Sequence, residues 1–332
     1  MKFVGIDVGM KTLHVAVLDS TMNNPQEYKN TAHGRRKLRK YLLGLGESCR
    51  VVVEATARYH LAVASELSAE DAIDVMVACP RRMRAFARSR EGRGKTDRAD
   101  AGHLAAYAQS RSFRVWKQPS QAAQHLREYS RRRRQLIQQR AKEKTRRREA
   151  KRVGLPQDIL ASFDENIKSL DRQIDAMSNA ALKLIRADSE LKEQYDLLLT
   201  MRGVGSTTAV EVLAEVSMMP NDLGPKELVA YTGLDPVPWQ SGRADTKNRK
   251  ISRQGNKRLR ATLYMAAMNA VKYSPHVAGW HAKLINKGKK PKVAYVAVAR
   301  KLLCAMHGML RTQTAWAGEK FYRLPEKERL VA

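Results

Sequence analysis

The sequence has few cysteines and no long apolar run. Its three cysteines, Cys49, Cys79 and Cys304, are unclustered and odd in number, which argues against a disulfide framework and against a cysteine-based zinc site. No apolar run approaches the roughly 20 residues of a transmembrane helix, and residues 1–11 lack the apolar stretch and cleavage site of a signal peptide. We therefore expect a soluble protein of a reducing cytoplasm, with no membrane as a partner.

Acidic residues are in the minority. The 332 residues include 62 lysines and arginines against 33 aspartates and glutamates, so the formal net charge is +29. A surplus of this size predicts a polyanionic partner, and nucleic acid is the leading candidate because lysine and arginine contacts to phosphates release counterions. The length is that of about two domains.

The N-terminal part of the chain alternates strand and helix signals. Residues 2–8 and 12–18 predict a β-hairpin, because apolar residues alternate in both and a short turn joins them. Two further apolar runs, each preceded by a helical pattern, follow at residues 50–55 and 74–79. Together these signals predict an α/β domain with a mixed sheet over residues 1–112.

Beyond this domain the pattern is helical. Apolar residues from Leu160 onward alternate steps of three and four over more than three heptads, which predicts a coiled coil. Its expected partner is the basic segment 120–150, so residues 113–192 are assigned to a coiled-coil arm. Residues 193–332 are expected to form a mainly helical domain that contains a helix-hairpin-helix.

Three features of these helical parts are candidates for nucleic-acid contact: arginine runs in the arm, a Gly-Val-Gly turn, and a basic loop near the C-terminal end. The arginine runs are also explained by a solvated helix face, and the turn by an ordinary helix connection. A Gly-x-Gly turn ahead of a helix can, however, offer backbone N–H groups to a phosphate. The candidates are Arg131, Arg132, Arg133, Arg134, Arg146, Arg147, Arg148, Gly203, Gly205, Arg243, Lys247, Arg249, Lys250, Arg253, Lys257 and Arg258.

Four acidic residues occupy positions where a charged carboxylate loses hydration or lies close to another carboxylate. Asp7 lies inside the first strand pattern and Glu54 ends an apolar run. The free-energy cost of removing each carboxylate from water must therefore be offset by a partner. Asp97 and Asp100 are three residues apart in an apparent helix, which puts both carboxylates on one face. A shared Mg²⁺ or Mn²⁺ would resolve both problems, and two ions suit phosphodiester chemistry. Helix capping by Asp97 and an arginine partner for Asp100 remain the alternative.

Two histidines near these acids, His14 and His103, are interpreted as structural rather than as ligands or bases. The sequence has no Gly-x-x-x-x-Gly-Lys phosphate loop and no His-Glu-x-x-His pair. Nucleotide hydrolysis and zinc proteolysis therefore have no support.

Four stretches of the chain resemble one protein family. FVGIDVGMKTLHVAV, VVVEATARY, KTDRADAGHLAAY and the C-terminal set GVGSTTAVEVLAEV, AYTGLDPVPWQSG and GNKRLRATLYMAAM are similar to the DEDD transposases of insertion-sequence family 110. The resemblance implies an α/β RuvC-like (RNase H-like) domain, a coiled-coil insertion and a mainly α transposase domain. Asp7, Glu54, Asp97 and Asp100 match the four metal-binding acids of that family, and Ser241 matches its catalytic serine. A lone Ser-Gly in a loop is otherwise read as a turn.

The resemblance also implies an activity and partners. It implies a DNA recombinase that forms a phosphoserine intermediate with Mg²⁺ or Mn²⁺ on the carboxylates, acts on donor and target double-stranded DNA, and is guided by a structured bridge RNA from its own element. It further implies a homo-oligomer, a dimer or a tetramer, associated with the nucleoid of a prokaryote. Two other functions stay open on the residues alone: a structure-selective metal-dependent nuclease that hydrolyses DNA, and a non-catalytic nucleic-acid-binding protein.

Overall fold

A computed structural model gives the fold of this chain. The residues it describes are 1–18, 26–55, 58–89, 97–110, 113–220, 223–237, 240–241, 244–245 and 250–325. Residues 97–98 and 240–241, like 244–245, are described as backbone only. The chain forms two compact units, Met1–Gln118 and Pro119–Ala332. This division is coarser than the predicted division into three domains, which stays a prediction.

The first unit alternates strands and helices. Its described elements are β1 (Lys2–Val8), β2 (Thr12–Val17), β3 (Gln26–Lys29), α1 (Ala32–Leu43), β4 (Cys49–Glu54), α2 (Tyr59–Leu67), β5 (Ile73–Ala78), α3 (Pro80–Ser89) and α4 (Asp97–Ala108). The strands form one sheet in the order β3-β2-β1-β4-β5. β1 pairs antiparallel with β2 and parallel with β4, so the predicted hairpin and the predicted mixed sheet are confirmed.

Both faces of this sheet are covered. Val4, Ile6 and Val8 pack with α1 and α2 in one buried cluster, because alternate residues of a strand point to the same face. The opposite face packs Phe3 of β1 and Val52 of β4 with α3 and α4. β3 was not foreseen from the sequence, since its residues, QEYK, carry no apolar alternation.

Helix α4 lies directly on strand β1 at Gly5. A Cβ atom added at Gly5 would stand 2.1 Å from the carbonyl oxygen of Ala101 and 2.2 Å from the amide nitrogen of Ala105. Both contacts are to backbone, so neither can yield without moving the helix. Glycine at position 5 is therefore what lets α4 approach the sheet.

We expect the substitution Gly5→Ala to destabilise the first unit. Overpacking of this kind costs about 1–3 kcal/mol in the free energy of unfolding. Urea unfolding followed by circular dichroism measures the change.

The matched control is Gly102→Ala, in the same helix. A Cβ at Gly102 meets nothing within 4 Å, so this alanine is expected to stabilise the helix by up to about 1 kcal/mol. Equal stability of the Gly5→Ala and Gly102→Ala proteins would contradict the close approach of α4 to β1.

The second unit is mainly helical. Its described elements are α5 (Gln121–Arg152), α6 (Gln157–Ala187), α7 (Ser189–Leu199), α8 (Ser206–Val216), α9 (Pro225–Thr232), β6 (Gln240–Ser241), β7 (Ala244–Asp245), α10 (Lys257–Tyr273), α11 (Pro275–Asn286), α12 (Pro291–Thr312) and α13 (Gly318–Phe321). Helices α7 to α12 share one buried apolar core, to which Leu126 at the start of α5 and Ile185 at the end of α6 also belong.

Helices α5 and α6 pack against each other along their length, and we call this pair the arm. The predicted apolar seam faces the partner helix, with Leu160, Ile174 and Ala181 buried. The predicted partner segment, 120–150, is confirmed as α5. Ion pairs also cross the arm, for example between the guanidinium of Arg147 and the carboxylate of Asp164, where a nitrogen–oxygen distance is 2.8 Å.

Helix α12 corrects one expectation from the sequence. Among the described helices, it is long and apolar enough to cross a membrane by length and composition, whereas the sequence suggested no such segment. It packs against α7, α9, α10 and α11, and Val298, Leu302 and Leu303 on it are fully buried. Its apolar character is therefore that of a core helix of the second unit.

Candidate active site

Two of the predicted metal ligands lie on neighbouring strands. In the parallel pairing of β1 with β4, Gly5 stands opposite Val52 and Ile6 opposite Val53, so the next step brings Asp7 alongside Glu54. Because alternate residues share a face, both carboxylates point to the face that carries Gly5. Both residues are half-buried. They meet at the carboxyl ends of the two strands.

Helix α4 covers the same face and begins near these two acids. Phe113, just beyond the end of α4, lies under the guanidinium of Arg50 at 5.1 Å, and Arg50 is at the start of β4. The helix therefore runs from the carboxyl ends of β1 and β4 toward their starts. The first turn of α4, with Asp97 and Asp100, lies about 6 Å along the helix axis before the contact with Gly5. Asp7 lies at about the same distance from Gly5 along β1.

The donor set fits a hard divalent cation. It consists of carboxylate oxygens at half-buried positions, the ligands that Mg²⁺ and Mn²⁺ prefer. The side chain of Asp97 lies outside those described. Among the described side chains, no group of three or more His, Cys, Asp and Glu residues is close enough to hold a metal ion. Asp7, Glu54 and Asp100 are among these side chains, so the structure does not bring the three close enough to hold one ion, and the four-carboxylate centre stays a prediction.

His14 is the cross-strand neighbour of Asp7. Its ring nitrogen Nε2 lies 3.8 Å from a carboxylate oxygen of Glu27 on β3. Within the described part of the chain, its Nδ1 and the Nδ1 of His103 are buried without a hydrogen-bond partner. Neither observation assigns either histidine a chemical role.

Ser241 ends strand β6, which pairs with β7 so that Ser241 stands opposite Ala244. Its side chain is not among those described. Three of the predicted phosphate contacts that follow it, Arg243, Lys247 and Arg249, lie outside the described residues. Of the other four, Lys250, Arg253 and Lys257 are exposed and Arg258 is half-buried.

The arginines of the arm fall into three groups, which turn inward to α8, bond acids of the arm itself, or face outward. Arg131, Arg133 and Arg134 turn toward α8, where they form ion pairs with Glu215 and Glu211. Arg147 is held by Asp164 of α6, and Arg146 bonds Glu143 one turn away. Arg132 and Arg148 are exposed. The inward group stabilises the arm, so the outward group has the better access to a phosphate.

The two glycines of the Gly-Val-Gly turn also differ. A Cβ at Gly203 would lie 2.6 Å from Cα of Ala270 in α10, so glycine is required there for helix packing. Gly205 is exposed, a Cβ there would meet nothing within 4 Å, and the residue begins helix α8. A role of this turn in DNA contact stays a prediction.

Two acids of α8 that bind arm arginines, one of them buried, were not predicted from the sequence. Glu211 and Glu215 are one turn apart in the otherwise apolar stretch AVEVLAEV, and Glu215 is 4% exposed. Arg131 donates from Nε to Glu215 Oε1 at 3.1 Å, and Arg133 donates from Nη1 to Glu211 Oε1 at 3.3 Å. Two acids at i, i+4 within an apolar helix were a signal of buried cation partners.

Comparisons with known proteins match both units. The DEDD transposase model of insertion sequence IS110 matches residues 4–150, and the model described as transposase IS116/IS110/IS902 family matches residues 195–281. These two ranges contain all four acids and Ser241.

Individual proteins also match this chain, some over nearly its whole length and others over about half of it. The pilin gene-inverting protein of Moraxella bovis is 26% identical over 323 residues, 93% of this chain and 95% of that protein, and its counterpart in Moraxella lacunata matches equally. A 44.8 kDa protein of insertion element IS116 from Streptomyces clavuligerus is 28% identical over 152 residues, 46% of this chain and 35% of that protein.

Proposed function

This chain belongs to the IS116/IS110/IS902 family of insertion-sequence transposases, and from that premise we propose that it cuts and rejoins DNA through a phosphoserine intermediate at Ser241. Transposition implies DNA as the substrate. The net charge of +29 supports a polyanionic partner independently of the family.

The observation that carries the metal part of the proposal is that Asp7 and Glu54 are side by side at the ends of β1 and β4, on the face of the sheet that α4 covers. The strand order β3-β2-β1-β4-β5, with β1 antiparallel to β2 and parallel to β4, supports an RNase H-like (RuvC-like) fold for this unit. Mg²⁺ held by Asp7, Glu54, Asp97 and Asp100 would offset negative charge on the scissile phosphate and on the leaving oxygen.

The proposed chemistry of the serine is a two-step exchange of phosphate esters. The Oγ atom of Ser241 loses its proton and forms a bond to phosphorus, the bond from phosphorus to a deoxyribose oxygen breaks, and that oxygen takes up a proton. The hydroxyl oxygen of another DNA strand then loses its proton and bonds to this phosphorus, the Oγ–phosphorus bond breaks, and the serine takes up a proton. No water is consumed, so the number of phosphodiester bonds is conserved.

Guidance by an element-encoded RNA and action as a dimer or tetramer are part of the proposal, as is association with the nucleoid of a prokaryotic cytoplasm. Exposed cations on two helices support a second nucleic-acid ligand. Helix α3, which directly follows β5, exposes Arg81, Arg82, Arg84 and Arg88. Helix α5 exposes Arg132 and Arg148.

The competing function is hydrolysis by a metal-dependent nuclease of the junction-resolvase type. It is favoured by the fact that the four acids all belong to the first unit while Ser241 belongs to the second. Incubating the protein with a nicked DNA substrate, with and without protease treatment, separates the two functions. Protein-linked DNA ends support the proposal, and cut DNA with only free ends supports the nuclease.

We expect the double substitution Arg132→Gln and Arg148→Gln to weaken DNA or RNA binding and to flatten its salt dependence. For double-stranded DNA each lost phosphate contact makes the negative slope of log K against log salt shallower by about 0.9, so the magnitude of the slope should decrease by about 2. Fluorescence anisotropy at several salt concentrations measures it.

The control for this prediction is Arg140→Gln, because Asp171 of α6 already holds the Arg140 guanidinium. This variant is expected to keep the original slope. If the double variant also keeps it, the arm does not bind phosphates through these two arginines.

A further inference from the structure

The carboxylate of Glu215 joins the arm to residues 231–256, which include Ser241 and which we call the Ser241 segment. It accepts hydrogen bonds from Arg131 of α5, at 3.1 and 3.2 Å, and from Nδ2 of Asn256, at 2.7 Å. Arg127 of α5 lies 3.7 Å from the same carboxylate. A buried carboxylate is tolerated only with such partners, so removing one of them is costly.

Asn256 in turn links the two ends of the Ser241 segment by hydrogen bonds. Its backbone N–H donates to the carbonyl of Tyr231 at 2.7 Å, at the end of α9. Its side-chain oxygen accepts from the N–H groups of Arg258 and Leu259 and so caps α10. Arg260 of α10 adds a bond of 2.7 Å to the carbonyl of Thr232. We call the residues 231–233 and 253–256 the foot of the segment.

Backbone hydrogen bonds continue from the foot toward Ser241. Arg253 N–H donates to Gly233 at 3.1 Å, Ser252 N–H to Asp235 at 2.9 Å, and Val237 N–H to Lys250 at 2.9 Å. Ser241 lies between residues 237 and 250 in the chain. A displacement of Asn256 therefore shifts the paired backbone, residues 233–237 and 250–253, that precedes and follows Ser241 in the chain.

Glu211 provides an internal comparison. It lies one turn before Glu215 on α8 and also binds two arm arginines, Arg133 and Arg134. Its third partner is Thr262, in the middle of α10. Among the described residues it has no hydrogen bond to the foot. Glu211 and Glu215 therefore anchor the same arm, but only Glu215 also reaches the foot.

We propose that Glu215 is a positioning residue for the DNA-cleaving serine: through Asn256 it holds the foot of the Ser241 segment, and through Arg131 it ties that foot to the arm. The inference rests on the proposed function, because it assigns Ser241 the covalent step. Glu215 itself contacts no DNA. It sets where the serine stands relative to the scissile phosphate, and a nucleic acid or second protomer that moves the arm changes that position.

The decisive variant is Asn256→Ser. Serine is a good N-cap, so α10 keeps its cap, but the shorter side chain cannot reach Glu215. We expect the rate constant of adduct formation at saturating DNA to fall about ten- to a hundredfold, as small misplacements of a reacting group do. The dissociation constant for DNA should stay within about twofold, since a positioning defect acts on the chemical step.

The control is Glu211→Gln, which leaves Arg133 and Arg134 without their carboxylate and does not touch the foot. It should lower the melting temperature at least as much as Asn256→Ser and leave the rate constant within about twofold. A role of Glu215 in stability alone would instead make rate and melting temperature fall together in both variants.

The arm connection is tested by a double-mutant cycle. Arg131→Gln should slow adduct formation as Asn256→Ser does, and the double variant should be no slower than either one, because both remove the same connection. Arg131→Gln also serves as the test if the Asn256→Ser protein does not fold.

Two results overturn the inference. One is an adduct rate constant for Asn256→Ser, or for Arg131→Gln, equal to that of Glu211→Gln; the other is additive loss in the double variant. Adduct formation by Ser241→Ala, measured in parallel, reports on the proposed function separately. If Ser241→Ala forms adduct, the proposed function fails; if it does not and Asn256→Ser reacts normally, only the role of Glu215 fails.

Discussion

Replacing Ser241 by alanine is expected to abolish the covalent link between protein and DNA. The Oγ atom is the nucleophile in the proposed exchange, so its removal should lower adduct formation by at least about a thousandfold. The measurement uses a DNA substrate with a nick near the cleavage site, so that the cut strand diffuses away and the adduct accumulates. Denaturing gel electrophoresis then separates the adduct from free protein.

The control for this substitution is Ser217→Ala in the same unit. The hydroxyl of Ser217 bonds the carbonyl of Leu213 in its own helix, at 2.8 Å, and has no part in the proposed chemistry. Ser217→Ala should form adduct at the original rate. Cut DNA without adduct in the Ser241→Ala protein would favour the nuclease, in which water is the nucleophile.

Replacing Asp7 by asparagine is expected to stop strand cleavage while DNA binding persists. The substitution removes a charged oxygen ligand but keeps the size of the side chain. Metal-ion stabilisation of the transition state is worth several kcal/mol, so a loss of about a thousandfold or more in cleavage rate is expected. Removing divalent cations with a chelator should have the same effect, and adding Mg²⁺ should reverse it.

Asp74→Asn is the matched control. Asp74 of β5 stands beside Arg50, at the opposite end of the sheet from the proposed metal site. The Asp74→Asn protein should cut DNA at the original rate. A second readout is thermal unfolding: Mg²⁺ should raise the melting temperature of the Asp74→Asn protein but not of the Asp7→Asn protein. If Asp7→Asn and Asp100→Asn both leave every activity intact, the protein is a non-catalytic binder.

Features set by local periodicity were predictable from the sequence. The β1–β2 hairpin follows from strict alternation, and the seam of α6 from heptad spacing, because both patterns state which face of an element is buried. Asp7 stood out for the same reason, since an acid breaks the apolar pattern of its strand. The alignment of Asp7 with Glu54 then follows from the pairing of β1 with β4.

Features set by distant partners were not predictable. Arg131 and Glu215 are far apart in sequence, and no local pattern near either residue indicates the other as its partner. The sequence therefore predicts phosphate contacts by the arm arginines, with a solvated helix face as the alternative, whereas three of them turn inward to α8. Ser241 had no local signal at all, because a serine before glycine is the ordinary composition of a turn. Only the family resemblance pointed to it.

The most direct measurement of the central claim is to identify the residue that carries DNA in the trapped adduct. The adduct is digested with nuclease and protease, and the modified peptide is sequenced by mass spectrometry. The account predicts a nucleotide attached through phosphate to the Oγ atom of Ser241. A nucleotide on any other residue, or cleaved DNA with no modified peptide, would contradict it.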